Sequence, residues 1–121
     1  MPPSGTAGGL PQWGDSVAAL VRPVRQCTLG EETPGVPPVV LVGSHGEPTA
    51  LLLSDPRTAE VCTAPVSLRV HPTTDVTEAL ERALTRTAVL RFDPVVCTDR
   101  TGHVLGLLRI EDLASAARKS R

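Results

Sequence analysis

The sequence predicts an α+β fold with an α/β-sandwich-like arrangement, in which two similar units of unequal completeness each contribute one small sheet. Three observations support this prediction. Pro38 and Pro94 each precede a pair of valines, and their separation along the chain equals that of the turn glycines Gly46 and Gly102. Short apolar runs flank both glycines, as expected of paired strands, and a segment with helical apolar periodicity lies between the two copies. An internal repeat of this kind indicates two similar units that pack together.

Upstream of each hairpin lies a matching stretch that we call the entry segment. The first entry segment (16–24) contains Arg22-Pro23-Val24, and the second (58–66) contains Ala64-Pro65-Val66. The two hairpins lie further apart along the chain than the two entry segments do, and the difference is about the length of one short helix. The first unit is therefore predicted to lack most of its helix.

Composition limits the classes of partner. The chain has 121 residues, 40% of them hydrophobic and 21% charged, which is typical of one globular domain or two half-sized units. A net charge of −1 argues against nucleic acid or an anionic membrane surface as a partner. Apolar runs all fall short of the roughly 20 residues that span a bilayer. The three cysteines, Cys27, Cys62 and Cys97, have no C-x-x-C spacing and favour reduced thiols in a cytoplasmic protein.

The first unit is predicted from the Pro- and Gly-containing segments that separate its elements. Residues 1–15 are rich in Pro, Gly, Ser and Thr and are expected to form a disordered tail. A short helix follows and ends at Pro23. The degenerate first unit, residues 16–57, then forms a hairpin from strands Val39–Val42 and Thr49–Leu53.

The second unit, residues 58–121, is predicted to have the order strand, helix, strand, strand, helix. Its elements are strand Val66–Val70, helix Val76–Thr87, strands Pro94–Thr98 and His103–Leu108, and helix Ile110–Arg118. Asp75 and Glu78 form a variant of the capping box before the first helix. The apolar stripe of that helix predicts that Leu80 and Leu84 are buried against the second hairpin.

Assembly is predicted from the helices that the first unit lacks. Without them, we expect Val40, Leu51 and Leu53 to be poorly covered, and exposed apolar patches of that kind mark interfaces. The sequence therefore predicts a homodimer or a complex with an unidentified partner protein.

The second unit resembles a CBS domain over about residues 58–118. The matching parts are Val61–Val66, Val70–Leu80, Pro94-Val95-Val96, Gly102, Gly106 and Asp112-Leu113. The first unit resembles a CBS repeat only in its entry segment and hairpin. The resemblance implies a tandem CBS pair, or Bateman module, whose two repeats pack sheet to sheet.

The resemblance also implies clefts that bind adenosyl ligands such as AMP, ATP or S-adenosylmethionine. The family motif G-h-h-T/S-x-x-D falls on Gly106–Asp112, and a carboxylate at its last position suits the two ribose hydroxyls. Pro56 occupies that position in the first unit, so at most one of the two sites keeps this chemistry. The residues that the resemblance assigns to the site are Asp112, Arg109, Thr74, Pro94 and Val95.

Both charged residues of this site have a second interpretation. Asp112 could be a first-turn acid that complements the helix dipole. Arg109 replaces the Thr or Ser of the motif, and it either pairs with a phosphate or fills the entrance of the cleft.

The remaining candidate side chains indicate no catalysis. His45, His71 and His103 have no metal-ligand spacing and are expected to be structural or solvated. Cys97 is expected to be a buried hydrophobic residue, and a Cys97–His103 pair would lack an orienting third group. These side chains predict a non-enzymatic protein without a resident cofactor, and the resemblance implies a regulatory module that senses an adenine nucleotide or other adenosyl ligand. The alternative is an interaction or dimerisation module that has lost its ligand.

Overall fold

A computed structural model of the chain describes residues 16–28, 30, 35–55 and 57–119. The predicted tail over residues 1–15 lies outside the described residues. Within this part of the chain, the regular elements are a 3-10 turn at Val17–Leu20, strands β1 (Arg25–Thr28), β2 (Val39–Val42), β3 (Pro48–Ser54), β4 (Val61–Pro65) and β5 (Arg69–Val70), helix α1 (Val76–Leu84), a 3-10 turn at Ala88–Leu90, strands β6 (Val95–Thr98) and β7 (Val104–Leu108), and helix α2 (Ile110–Lys119).

The strands form two small sheets, as the sequence predicted. The first has the order β1-β2-β3-β4, and the second has the order β5-β6-β7. The first strand of each sheet runs parallel to its neighbour, and the remaining pairs are antiparallel. Both α-helices found among the described residues belong to the second unit, which confirms an α+β fold whose first repeat, as far as it is described, lacks most of its helix.

The two hairpins have the same register. Val40 pairs with Leu51 in the first hairpin, and Val96 pairs with Leu107 at the equivalent position of the second. Both ladders shift register after their third pair, again at equivalent positions. Because a turn and its adjoining pairs fix the register of a hairpin locally, a repeated sequence gives a repeated ladder.

The entry segments are exchanged between the repeats. Ala64 of the second entry segment pairs with Leu51 of the first hairpin. Arg22 of the first entry segment bridges Leu107 of the second hairpin, and the backbone N–H of each donates to the carbonyl of the other at 2.9 Å. Each entry segment thus pairs with the hairpin of the other repeat, as expected of two similar units related by an approximate twofold axis.

The core has two layers. Side chains between the two sheets form one cluster, which consists of Val40, Val42, Leu51, Ala64, Val96, Val104 and Leu107. Side chains between the second sheet and the helices form the other, which we call the helix-side core and which consists of Val17, Val70, Val76, Ala79, Ala83, Val95, Cys97, Leu108, Ile110 and Leu113.

The predicted exposure of the first hairpin is wrong at two of its three positions. Val40 is 0% exposed and Leu51 is 1% exposed, because the second hairpin covers this face in place of helices. Leu53 is half-buried at the end of β3. The argument for a dimer through this face therefore fails.

Two element boundaries differ from the predictions by three residues, whereas the other strand and helix ranges given above differ by one residue at most. Only Arg69–Val70 of the predicted strand Val66–Val70 is extended, because residues 66–68 carry the chain from the first sheet to the second. The helix predicted to reach Thr87 ends at Leu84 with Thr85 as its C-cap, and the next N–H, that of Arg86, bonds to the Ala83 carbonyl in a tighter turn. Leu84 is consequently 40% exposed, and Leu80 packs only partly buried against the helix-side core.

Candidate functional site

A cleft opens between the two repeats, and we call it the inter-repeat cleft. Its volume is about 420 Å³. The described residues that line it are Pro37, Pro38, Leu53 and Ser54 from the first repeat, and Phe92, Asp93 and Pro94 from the second. Pro38 and Pro94 occupy equivalent positions of the repeat, so the cleft lies where the two copies of the motif meet.

The walls of the inter-repeat cleft differ in secondary structure. Leu53 and Ser54 end β3, which is paired on both sides in the centre of the first sheet. Phe92 and Asp93 belong instead to the irregular segment that precedes β6, and the ring of Phe92 is 74% exposed. An exposed aromatic ring beside prolines, with one carboxylate and one hydroxyl, is a mainly apolar surface with a few polar groups, as in small-molecule sites.

Arg86 anchors the irregular wall. Its Nη2 donates to the carbonyl of Asp93 at 2.8 Å and to the carbonyl of Arg91 at 3.0 Å. Burial raises the pKa of the Asp93 carboxyl, and the positive charge of Arg86 opposes that rise. Burial likewise lowers the pKa of Arg86, and the charge of Asp93 opposes that change. The cleft is therefore lined by one partly desolvated acid, Asp93, whose segment is held by the Arg86 guanidinium.

Asp112 lies in the first turn of α2, where the first entry segment reaches it. Nε of Arg22 donates to Oδ2 of Asp112 at 2.8 Å, and the Asp112 side chain is 24% exposed. This hydrogen bond and the charge of Asp112 raise the pKa of the Arg22 guanidinium. The carboxylate that the resemblance assigns to a ribose is thus already engaged by an arginine of the other repeat.

Gly106 explains how the entry segment approaches so closely. A Cβ at this position would overlap the backbone carbonyl of Arg22 and crowd the side chain of Val21. The first glycine of the motif therefore has a packing role here, because only a residue without a side chain leaves room for the entry segment on β7.

Arg109 precedes α2 and donates to the Glu111 carboxylate. The pKa of Glu111 is lowered, first by a hydrogen bond from its own backbone N–H and then by this bond from Arg109. Both arginines near the start of α2 are thus paired with carboxylates, which neutralises their charge locally.

The five predicted site residues do not form one cluster. Pro94 lines the inter-repeat cleft, but Val95 is fully buried in the helix-side core. The Thr74 hydroxyl accepts from the backbone N–H of His71 in the turn before α1, and its carbonyl accepts from Val17. Arg109 and Asp112 stand at the start of α2 and are absent from the described lining of the cleft.

Sequence reasoning missed Arg22, Arg86 and Phe92. Phe92 carried a signal, because it is the only phenylalanine of a chain that has just two aromatic residues. Arg22 could be placed in the entry segment by the repeat, but its pairing with Asp112 follows from the exchange of entry segments. Arg86 lies beyond the apolar stripe of α1, where periodicity carries no information.

A second cavity of about 520 Å³ lies near the turns of the second repeat, lined by His71, Pro72, Thr73, Asp99 and Arg100. Oδ1 of Asp99 accepts from the hydroxyl and the N–H of Thr101 and from the N–H of His103, and these bonds close its own turn.

The described residues contain no group of three or more His, Cys, Asp or Glu side chains that could hold a metal ion. Cys97 is fully buried, as predicted, and burial raises the pKa of its thiol.

Comparison with known proteins identifies the repeat. The family model described as CBS domain matches residues 59–119. No curated protein matches the chain. Within the described residues, no helix has the length and apolar character that crossing a membrane requires.

Solved structures share the fold. The soluble part of a magnesium transporter is 12% identical, with a TM-score of 0.60 over 87% of this chain and 48% of the transporter chain. The cytosolic domain of the Mg²⁺ channel MgtE in complex with ATP is 17% identical, with a TM-score of 0.58 over 84% of this chain and 48% of that one. A CBS domain pair/ACT domain protein from Thermotoga maritima is 13% identical, with a TM-score of 0.57 over 87% of this chain and 98% of that one. The chain spans about half the length of the first two.

Proposed function

The chain belongs to the CBS domain family, and we propose that it is a regulatory module that binds an adenosyl ligand by its base in the inter-repeat cleft. The observation that carries this proposal is the cleft itself, with its volume of about 420 Å³ and its walls from both repeats. That volume lies in the range of small-ligand sites. A ligand that touches both repeats biases how they sit together, which is what a regulatory module requires.

The lining favours a flat ring with hydrogen-bond donors. The exposed ring of Phe92 offers a stacking surface, and stacking on an aromatic side chain stabilises a bound base by about 1–3 kcal/mol. The carboxylate of Asp93 and the hydroxyl of Ser54 are acceptors for an amino group. Adenine combines a flat ring with an exocyclic amino donor. The MgtE cytosolic domain, a neighbour by fold, was solved in complex with ATP.

Recognition of the ribose and phosphates is expected to be weak in this cleft. The first repeat has Leu53 where the family motif has a hydroxyl residue and Pro56 where it has the ribose carboxylate. Adenosine, AMP and ATP should therefore bind with similar affinities. A site at the start of α2 would behave differently, because Asp112 and Arg109, with Thr74, would contribute there once Arg22 released Asp112.

A thermal-shift series with adenosine, AMP, ADP, ATP, S-adenosylmethionine and cyclic dinucleotides tests the proposal, since a ligand selective for the native state raises the unfolding temperature. Ser54→Trp should plug the cleft and abolish the shift, because Ser54 is exposed and lines it. Thr63→Trp, at an exposed position on β4, is the matched control. Loss of the shift in Asp112→Ala but not in Ser54→Trp would place the ligand at α2 instead. The absence of any shift with the parent protein would overturn adenosyl binding.

A second candidate function rests on a separate observation. Leu84, Val89 and Phe92 are 40%, 85% and 74% exposed, and all three lie between the end of α1 and the start of β6. If these side chains form one contiguous patch, such a patch is typical of an interaction surface. As an interaction module, the chain would form a homodimer or bind a partner protein through this segment. Concentration-dependent sedimentation that Val89→Ser abolishes would support this function, and a monomer at every concentration would exclude the homodimer.

A further inference from the structure

The segment between α1 and β6 has little apolar burial to hold it in place. Its 3-10 turn at Ala88–Leu90 contains no buried residue, and the side chains of Val89 and Phe92 are largely exposed. Local backbone bonds close its two short turns, from Leu90 N–H to the Thr87 carbonyl and from Asp93 N–H to the Leu90 carbonyl. A segment with few buried apolar contacts opens at low free-energy cost unless polar contacts tie it down.

Arg86 provides those polar contacts. Besides its two bonds to the segment, at the carbonyls of Arg91 and Asp93, its Nε donates to the Ala83 carbonyl at 3.0 Å, and its Nη1 donates to the Ser67 hydroxyl at 2.8 Å. One half-buried guanidinium thus joins the end of α1, the crossing between the two sheets and the wall of the inter-repeat cleft.

We propose that Arg86 is the positioning residue of the inter-repeat cleft, which fixes the Phe92–Pro94 wall in the shape that a ligand meets. The planar fork of arginine donates in several fixed directions at once, and this is what four acceptors from three segments require. The ligand part of this proposal rests on the proposed function, whereas the positioning part concerns the free protein.

Lysine and glutamine substitutions separate geometry from charge. Arg86→Lys keeps the positive charge but replaces the fork by a compact ammonium group that cannot reach all four acceptors. Arg86→Gln removes the charge beside Asp93 and leaves burial to favour its protonated form. Arg82→Lys, one turn earlier on α1, is the matched control, because Arg82 is exposed and pairs only with Glu78 at 3.4 Å among the contacts described.

The free protein tests the positioning role directly. Since Phe92 is the only phenylalanine, fluorophenylalanine labelling gives a single fluorine resonance from the cleft wall. Arg86→Lys should move or broaden this resonance and raise the rate of chymotrypsin cleavage after Phe92 by roughly tenfold, as the bonds to the segment weaken. Arg82→Lys should leave both unchanged. An unaltered resonance and cleavage rate in folded Arg86→Lys would overturn the proposal. If that variant does not fold, Ser67→Ala must still alter the resonance, and an unaltered one overturns the proposal equally.

Calorimetry with adenosine tests the ligand part. Arg86→Lys should weaken binding at every pH, whereas Arg86→Gln should also move the acid limb of the binding profile to higher pH, as the pKa of Asp93 rises. If the parent binds no adenosine, the proposed function fails, and the fluorine result still decides the role of Arg86. If the parent binds adenosine and both variants match its affinity and pH profile, Arg86 does not position the site.

Discussion

Gly106→Ala tests the exchange of entry segments between the repeats. The new Cβ would overlap the carbonyl of Arg22, so the first entry segment must move away from β7. That movement weakens the two backbone bonds between Arg22 and Leu107, each 2.9 Å long. The two bonds together contribute about 2 kcal/mol and overpacking costs about 1–3 kcal/mol, so the loss is roughly 3–5 kcal/mol if both bonds break.

Urea unfolding followed by circular dichroism measures this loss, and amide exchange at Leu107 localises it. Gly43→Ala is the control, because its Cβ meets only the flexible carboxylate end of Glu47, and it should cost less than about 1 kcal/mol. If Gly106→Ala unfolds at the parent's urea concentration and the Leu107 amide remains equally protected, the first entry segment does not dock on β7. The reciprocal packing of the repeats would then be wrong.

Three further substitutions test the core and the charged turns. Leu51→Ala should lower the free energy of unfolding by about 2–5 kcal/mol, because its side chain is 1% exposed between the sheets; a smaller loss than that of the half-buried Leu80→Ala would contradict the packing. The pKa of Asp99 is lowered, mainly by the hydrogen bond from the Thr101 hydroxyl. The ionised Asp99 carboxylate therefore stabilises the fold at neutral pH, and this stabilisation is lost as the pH falls through and below about 3.9. Asp99→Asn should therefore make urea stability less sensitive to acid, and an unchanged pH profile would refute this. Asp112→Asn breaks an ion pair that solvent screens, so the urea midpoint should hardly move, and a large fall would show a buried pair.

Features of the fold that depend on neighbouring residues could be predicted from the sequence. The capping by Asp75 is present, since its side chain accepts from the Glu78 N–H at 3.1 Å. The paired hairpins are confirmed, as is the lack of most helix in the described part of the first repeat. The family-model match over residues 59–119 confirms the CBS resemblance of the second repeat. Turn residues, helix caps and apolar periodicity act over a few residues, so the structures that they determine can be predicted from a short stretch of sequence.

Features that depend on distant pairing were not predictable in this way. The crossing at residues 66–68 has the apolar pattern of a continuing strand, because Val66 packs against the cluster between the sheets and Leu68 against the cluster on the helix side. The burial of Leu51 depends on the second hairpin, which lies far along the chain. The lack of a helix in the first repeat therefore does not leave this side chain exposed. Sequence pattern shows that a face is apolar but does not show which element covers it.

The candidate site illustrates the same limit. The chemistry of Asp112 was read from its own motif, whereas its partner Arg22 belongs to the entry segment of the other repeat. The inter-repeat cleft likewise combines Pro38 of the first repeat with Phe92 and Pro94 of the second, and only the packing of the repeats brings these two segments together. The residue type indicates which ligand groups a side chain can bind, whereas tertiary contacts determine whether that side chain is available to bind them.

Binding in the inter-repeat cleft is tested most directly by the fluorine resonance of labelled Phe92 during a titration of the parent protein with adenosine. A ligand that stacks on this ring must change its environment, so we expect a saturable shift that Ser54→Trp abolishes and Thr63→Trp preserves. A resonance that stays unchanged while calorimetry records adenosine binding would place the ligand elsewhere and contradict the assignment of this cleft.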